Sequence, residues 1–204
     1  DAAGNLTKDK DGYAYHYDYE NRIVKIRKSN DTVDVASYAY DALGRRIQKV
    51  DSIATTATLY YYGSGWQVLA EYNGAGAFQR WYAYGNYIDE PLIMNTSANA
   101  SDAKFYIQDH LYSSAALLDS SGNVVERYEY DAYGRPYIMD SSYNSRSVNS
   151  YGNPYMFTGR EVDFLDNGGL KLQCNRNRYY DYYTGRWLSQ DLLIENLFRI
   201  CTVD

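Results

Sequence analysis

Tyrosines alternate with other residues along much of the chain, and a period of two residues is typical of β-strands. The pattern is found at Tyr13/Tyr15/Tyr17, Tyr38/Tyr40, Tyr60/Tyr62, Tyr82/Tyr84 and Tyr128/Tyr130. Alternate residues of a strand lie on the same face, so each group predicts a strand with one aromatic face. Apolar residues at helical spacing are scarce, which favours an all-β chain.

The tyrosine groups also recur at a fixed distance. The steps from Tyr38 to Tyr60, from Tyr60 to Tyr82 and from Tyr106 to Tyr128 are each 22 residues. A period of this length indicates one supersecondary unit per repeat. We therefore predict repeated antiparallel β-hairpins that form one continuous coiled or rolled sheet, like a solenoid or shell. More than half of the ordered residues should lie in strands, and no helix should exceed about three turns.

Four units continue from the tyrosine into a short turn. An Asp follows the tyrosine, a Gly or Asn comes three or four residues later, and an Arg comes next. The Asp side chain can accept a hydrogen bond from its own backbone two residues on, and Gly or Asn tolerates a positive φ. The candidate turn residues are Asp18 with Arg22, Asp41 with Gly44 and Arg45, Asp131 with Gly134 and Arg135, and Asp181 with Gly185 and Arg186.

The net charge of the chain bears on which partners it can bind. The 204 residues carry a net charge of −6, with a pI near 4.9. Phosphate binding needs a basic patch, so we expect no nucleic-acid partner. The longest cationic stretch, residues 25–28, is interpreted as the solvent face of an edge strand. No apolar run reaches the roughly 18 residues of a membrane-spanning helix, so we expect no transmembrane segment.

Few residues offer catalytic or metal-binding chemistry. His16 and His110 are far apart in sequence and do not match the spacing of zinc ligands. The aspartates of the turns lack the alternating oxygen ligands of calcium loops, so they are interpreted as turn caps. We expect no cofactor and no metal. Cys174 and Cys201 are the only cysteines, and their spacing leaves both a single bridge and two unpaired thiols open.

The motif Tyr-Asp-x-x-Gly-Arg resembles the YD-repeat, or RHS, family. Residues 1–6 and 17–23 look like variants of that repeat. Later segments are similar to the core-associated domain of RHS proteins, and they lie at residues 108–113, 121–134, 157–161 and 178–191. The ordered series of motifs covers residues 1–191. It implies three parts: YD-type hairpin repeats over 1–105, a core-associated segment over 106–191, and a divergent apolar tail over 192–204.

The resemblance implies a structural role. The repeats of the family form a β-ribbon that coils into a hollow shell, which in many members encloses a toxic C-terminal polypeptide, and the core-associated segment closes one end. We therefore expect a scaffold rather than an enzyme, a fragment of a longer, secreted or cell-surface protein. Its partners would be further β-repeats of the same or neighbouring chains and an enclosed polypeptide.

The resemblance also implies a self-cleavage site. Arg178 and Asp191 correspond to the arginine and the first aspartate of the family's aspartyl site. Here Leu192 replaces the expected proline, and the segment with the second aspartate is absent. A carboxylate pair works by sharing one proton, so a single aspartate is half a site at most. We expect this half-site to be inactive in the present chain.

A second function stays open at the sequence level. The chain can be interpreted as a repeat unit of an extracellular filament, or of an adhesive surface protein whose tyrosines contact glycans. The few hairpins present favour this alternative, because strands only about 4.8 Å apart enclose little space. The apolar tail, residues 192–204, is expected either to dock on a partner or to fold back on its own repeats.

Overall fold

A computed structural model of the protein describes residues 1–191. Thirteen strands form one long sheet, which we call the ribbon. They are β1 (Ala14–Tyr17), β2 (Ile23–Lys28), β3 (Val33–Tyr40), β4 (Arg46–Asp51), β5 (Thr56–Tyr62), β6 (Val68–Asn73), β7 (Phe78–Tyr84), β8 (Pro91–Asn95), β9 (Lys104–Gln108), β10 (Ser114–Leu118), β11 (Val124–Tyr130), β12 (Pro136–Asp140) and β13 (Ser145–Arg146). Each strand pairs with its neighbours in the chain.

Every pairing in the ribbon is antiparallel, as in a continuous meander of hairpins. This confirms the all-β fold predicted from the tyrosine repeat. Strands account for 48% of the structure, so the expectation of more than half is wrong. The strand content is lower than expected because the strands are short and each turn between them takes up several residues. Register shifts at bulges, for example between Ala39 and Tyr40, recur along the sheet and increase its local twist.

A second, four-stranded sheet lies against one face of the ribbon, and we call it the inner sheet. It consists of β14 (Glu161–Leu165), β15 (Leu170–Asn175), β16 (Arg178–Asp181) and β17 (Arg186–Trp187). Short 3₁₀ turns occur at Ala100–Asp102, Phe157–Gly159 and Asp166–Gly168. Within residues 1–191, no helix has the length and apolar character needed to span a membrane.

The tyrosines of the 22-residue repeat form the buried face of the ribbon. Tyr38, Tyr60, Tyr82, Tyr106 and Tyr128 are each 7% exposed or less. One apolar cluster joins β1–β3 to the inner sheet, and a second joins the later strands to the inner sheet and the segment before it. One face of the ribbon is therefore covered by the inner sheet together with the segment before it.

The cationic stretch over residues 25–28 does not lie on an edge strand, and that expectation is wrong. It belongs to β2, which has β1 on one side and β3 on the other. Ile26 is fully buried in the first apolar cluster. Lys25 and Arg27 form ion pairs with Asp34 on the next strand. Cross-strand ion pairs of this kind stabilise a central strand as well as an edge strand.

Two sequence-level expectations lie partly outside the described residues. The tail over residues 192–204 lies outside them, so its docking on a partner or on its own repeats stays a prediction. Cys201 also lies outside them, so whether it pairs with Cys174 stays open. The proposed division at residues 105 and 106 also stays a prediction. It falls within β9, and the hydrogen-bonded ribbon continues past it to β13.

Candidate functional site

The turn after Tyr17 shows how an aspartate closes each hairpin. One oxygen of Asp18, Oδ1, accepts hydrogen bonds from the backbone N–H groups of Glu20 and Arg22, at 2.9 and 3.0 Å. The other oxygen accepts the Nε–H of Arg22 at 2.8 Å. Asn21 takes a φ of 60°, a left-handed conformation that Asn tolerates. The carboxylate therefore fixes both the backbone of the turn and the arginine that starts the return strand.

The turn after Tyr40 repeats this arrangement. Asp41 accepts the backbone N–H groups of Leu43 and Arg45, both at 2.9 Å, and the Arg45 Nε–H at 2.7 Å. Gly44 has a φ of 80°. Burial alone would raise the pKa of Asp41, but the hydrogen bonds from Arg45 and Leu43 hold it below its usual value. Arg45 also lies over the ring of Tyr62, 5.0 Å from its centroid.

The later Tyr-Asp turns keep the backbone bonds and use their arginines differently. Asp131 accepts the N–H groups of Tyr133 and Arg135, and Gly134 has a φ of 84°. The guanidinium of Arg135 stacks on two rings, 4.9 Å from that of Tyr183 and 5.5 Å from that of Tyr137. It thereby connects β12 of the ribbon to the end of the inner sheet.

The fourth turn, after Tyr180, lies in the inner sheet. Asp181 accepts the backbone N–H of Tyr183 at 2.8 Å and the hydroxyl of Thr184 at 2.7 Å. Gly185 has a φ of 68°. Arg186 follows in β17 and is exposed. With one residue more than the ribbon turns, this turn uses the threonine hydroxyl in place of an arginine.

The same turn occurs at further sites, and Asn73-Gly74, Asp109-His110 and Gly122-Asn123 already indicate three of them in the sequence. At each, an Asp or Asn accepts the N–H groups two and four residues ahead, and the residues are Asp9, Asn73, Asp109, Asp119 and Asp140. Gly12, Gly76 and Gly122 mark three of these turns in the sequence. In the other two, Tyr112 and Tyr143 hold the positive φ, at 65° and 66°, and no glycine reveals them.

A buried ionic cluster joins the ribbon to the inner sheet. The side chains of Arg46 and Asp163 are 3% and 0% exposed, and Arg46 Nη1 lies 2.5 Å from Asp163 Oδ2. Arg46 Nη2 lies 2.5 Å from Glu161 Oε1, and Lys49 Nζ lies 2.8 Å from Asp163 Oδ1. The two cations come from β4 and the two carboxylates from β14. Removal of one partner would leave a buried charge without compensation.

Tyrosine hydroxyls complete this cluster. Tyr60 donates to Glu161 at 2.8 Å, Tyr38 donates to Asp163 at 3.2 Å, and Arg46 donates to Tyr179 at 2.7 Å. Burial alone would raise the pKa of Asp163, but Arg46 and Lys49 hold it below its usual value. Burial raises the pKa values of all three tyrosines well above the ordinary value. The carboxylate stays charged and the phenols stay neutral over the physiological range.

Arg178 and Asp191, the expected half of a cleavage site, lie together. Arg178 Nη2 is 2.9 Å from Asp191 Oδ2, and the two side chains are 25% and 35% exposed. The guanidinium stacks on Trp187, 4.1 Å from the centroid of its nearer ring, so the arginine is held by both partners. The resemblance implies that the second aspartate of the site would follow Asp191 in the sequence.

A cleft lies between the N-terminal segment and the inner sheet. Its volume is about 1140 Å³, and Tyr13, Tyr15, Leu170 and Leu172 contribute to its wall. All four also belong to the first apolar cluster. The cleft lies beside the edge of the ribbon at β1, where Leu6 N–H bonds to the carbonyl of Leu188 at 2.8 Å. The cleft therefore adjoins the first apolar cluster at this end of the molecule.

A comparison with models of known protein families shows which family the chain belongs to. The family model described as Teneurin YD-shell matches residues 1–203. The chain belongs to the teneurin YD-shell family. This confirms the resemblance to YD-repeat proteins, and the match includes most of the segment after residue 191.

Curated relatives share this segment within longer proteins. The chain is 29% identical to the tRNA3(Ser)-specific nuclease WapA of Bacillus spizizenii over 192 residues, covering 94% of the chain and 8% of the relative. It is 24% identical to the toxin subunit YenC1 of Yersinia entomophaga over 221 residues, covering 94% of the chain and 20% of the relative. The chain thus spans at most a fifth of either protein.

A solved structure has the same fold. The crystal structure of TcdB2-TccC3 superposes with a TM-score of 0.66 at 20% sequence identity, covering 95% of this chain and 10% of that one. The continuous ribbon with its inner sheet is therefore the fold of this YD-shell type. Together with the family match, this supports a structural role in a shell for the present chain.

Proposed function

We propose that this chain forms part of the wall of a YD shell and the sheet that closes its end, and that the shell encloses a polypeptide. One observation carries the proposal: the buried tyrosine face of the ribbon is covered by the inner sheet and the segment before it. In a coiled shell, a sheet that covers the inner face of the wall blocks the space inside it at that level. The inner sheet then acts as a cap.

The cleft beside β1 is the side on which the shell continues. Aromatic and apolar side chains form its floor, and charges of both signs line it, including Asp9, Lys10, Asp11 and Arg186. A mixed surface of this kind suits an unfolded or partly folded polypeptide better than a single small ligand. Residues 7–9 already pair with β1. Further β-repeats would add beyond them, since an unpaired strand edge binds a compatible strand.

The relatives support a toxin context. YenC1 is named as a toxin subunit, and WapA is named as a tRNA nuclease. We assign no nuclease activity to the present chain, because it covers only a small part of WapA. We propose that the parent protein is secreted or carried on the cell surface, and that any catalytic activity resides in other segments. The net negative charge leads us to propose no nucleic-acid partner for this segment.

We also propose that the Arg178–Asp191 pair marks a self-cleavage site in the parent protein. The ion pair with Arg178 holds one carboxylate of the site in place, and a second carboxylate could share a proton with it. A parent chain extended beyond residue 204 should be cut during incubation, and Asp191→Asn should abolish the cut. A cut that persists in Asp191→Asn would exclude this role for Asp191.

The shell proposal is tested on the parent protein by limited proteolysis. The polypeptide that follows the shell segments should resist protease in the wild type, because the shell excludes the protease. Asp163→Asn breaks the cluster that holds the inner sheet, and it should speed digestion of that polypeptide by at least tenfold. The matched control, Asp34→Asn, removes an ion pair on the exposed surface of β3 and should leave the rate unchanged.

Two results would contradict the proposal. One is rapid digestion of the following polypeptide in the wild-type parent. The other is equal protection in Asp163→Asn and the wild type, although near-ultraviolet circular dichroism shows that the variant has lost the fixed packing of its aromatic side chains. Negative-stain images of open filaments, instead of closed particles, would favour the alternative function as a unit of an extracellular fibre.

A further inference from the structure

A second, small cavity lies between the ribbon and the inner sheet, and arginines outnumber carboxylates among its charged lining residues. Its volume is about 60 Å³, and its charged lining residues are Arg46, Asp89, Arg160, Glu161 and Arg176. Three guanidinium groups thus face two carboxylates. The cations come from separate elements: Arg46 starts β4, Arg160 precedes β14, and Arg176 lies in the turn between β15 and β16. The fold brings them together from distant parts of the sequence.

The surplus positive charge is located at Arg160 and Arg176. Both bind the same carboxylate: Arg160 Nη2 lies 2.9 Å from Asp89 Oδ2, and Arg176 Nη2 lies 2.7 Å from Asp89 Oδ1. The side chain of Asp89 is 10% exposed, and those of Arg160 and Arg176 are 20% and 27% exposed. One buried carboxylate therefore offsets only one of the two guanidinium groups.

The neighbouring charges do not remove the surplus. Arg46 has its own partners in Glu161 and Asp163, and Lys49 adds a further cation to the same pair of carboxylates. When Lys49 and Asp163 are included in the count, their opposite charges cancel and the surplus of one positive charge remains. Glu90 is next to Asp89 in sequence, but its carboxylate accepts the backbone N–H of Tyr87 and does not line the cavity.

The ionisation behaviour of the groups agrees with this count. Burial, opposed by Asp89 and reinforced by Arg176, lowers the pKa of Arg160. Burial raises the pKa of Asp89 against the opposing effect of the two arginines. Charges of like sign in a partly buried space are costly unless a counterion offsets them. The geometry and the charge count together call for one more negative charge beside Arg160 and Arg176.

We propose that this cavity binds one small monovalent inorganic anion of the size of chloride, and that the anion links the ribbon to the inner sheet. A cavity needs roughly 10–15 Å³ of such volume to hold one water molecule, so 60 Å³ accommodates an ion with a few waters. Guanidinium groups have several N–H donors in a plane and are weakly hydrated, which suits them to hold an anion in a partly buried site.

The first test compares thermal unfolding of the full chain in sodium chloride and in sodium gluconate at equal ionic strength. Gluconate is too large for the cavity. We expect the unfolding midpoint to rise by several degrees in chloride, with saturation as the chloride concentration increases, because an ion that binds the folded state stabilises it. Bromide should reproduce the effect of chloride.

Two substitutions change the charge count in opposite directions. Arg176→Gln removes the surplus, so the difference between chloride and gluconate should vanish. Asp89→Asn doubles the surplus, so the difference should grow. The control is Arg27→Gln, which removes a guanidinium that pairs with Asp34 on β3, away from the cavity, and should keep the wild-type difference.

A chloride effect that is absent in the wild type, or one that survives in Arg176→Gln, overturns the proposal. A second measurement covers the case in which Asp89→Asn does not fold. The ³⁵Cl resonance should broaden in the presence of the wild-type chain and narrow again when bromide competes. With Arg176→Gln its width should equal that of free chloride, and equal widths for the two proteins would contradict the site. The shell proposal does not depend on this result.

Discussion

The ribbon and the inner sheet are held in place by different kinds of contact. In the ribbon, each strand pairs with the strand before and after it, and each Asp turn is closed within five residues, as Asp18 and Asp41 show. The inner sheet depends on partners far away in the sequence. Arg46 and Asp163 are 117 residues apart, and Tyr60 and Glu161 are 101 residues apart.

Because of this difference, one set of contacts forms the ribbon and another set attaches the inner sheet to it. Local turns and neighbouring pairs give the ribbon its sheet, whichever segment follows. Closure requires the buried charges of β4 to meet those of β14, and a buried pair is favourable only when both partners are present. Substitutions in the cluster should therefore detach the inner sheet, whereas substitutions in single turns should weaken one hairpin.

The largest effect is expected from Asp163→Asn. The neutral amide leaves Arg46 and Lys49 buried with one carboxylate between them, and breaking a buried pair in this way costs about 3–5 kcal/mol of unfolding free energy. Chemical denaturation followed by tyrosine fluorescence measures the loss. Asp34→Asn serves as the control on the outer surface and should leave the denaturation midpoint nearly unchanged. Equal effects of the two substitutions would show that the buried cluster does not hold the inner sheet.

A smaller effect is expected from removal of one phenolic hydroxyl. Tyr60→Phe deletes the hydrogen bonds to Glu161 and from Arg46, and bonds to charged groups contribute about 1.5–3 kcal/mol. The adjacent Tyr61 is 55% exposed on the opposite face. Tyr61→Phe should therefore be neutral in the same denaturation experiment. A larger loss in Tyr61→Phe than in Tyr60→Phe would reverse the assignment of the two faces.

Within the ribbon, a turn glycine provides a local test. Gly44 has a φ of 80°, and a side chain in the left-handed region costs about 1–2 kcal/mol. Gly44→Ala should therefore lower the unfolding free energy by that amount. Gly65 has open space around the position of an added Cβ, so Gly65→Ala should be neutral or slightly stabilising. Equal losses in both variants would show that the turn geometry at Gly44 does not matter.

The smallest effect concerns acid stability. Hydrogen bonds from Asn123 and Asn144 hold the pKa values of Asp119 and Asp140 below their usual value. A depressed folded-state pKa contributes stability above the unfolded-state value of about 3.9, and this stability is lost as the pH falls through the lower folded-state pKa. The double variant Asp119→Asn/Asp140→Asn should show a shallower loss of stability between pH 5 and about pH 2 than the wild type. Asn73 already closes the same turn without a charge. An unchanged acid profile would contradict the assignment.

The sequence predicts the ribbon well because the ribbon depends on interactions between residues that are close together in the chain. The alternation and period of Tyr38, Tyr60 and Tyr82 predict the buried face of the ribbon. Asp41 and Gly44 predict the turn between β3 and β4. The turn at Asp140 escapes prediction, because Tyr143 holds the positive φ in place of glycine. The hydrogen bonds that Asp140 accepts from Ser142 and Asn144 fix the backbone there.

The partners of the buried charges could not be predicted. Arg46 follows Arg45 in the same motif, and nothing nearby in the sequence shows that Arg45 faces a turn while Arg46 is buried against β14. Alternation places them on opposite faces of the strand, but it does not name Asp163 as the partner of one of them. A pairing across more than a hundred residues depends on how the ribbon curves.

The most direct test of the account is a double-mutant cycle across the contact between ribbon and inner sheet. The variants are Arg46→Met, Asp163→Leu and the two combined, each measured by chemical denaturation. If the buried pair holds the inner sheet, the double variant should be more stable than either single variant, with a coupling energy of at least about 2 kcal/mol. Additive effects within about 0.5 kcal/mol would contradict the account.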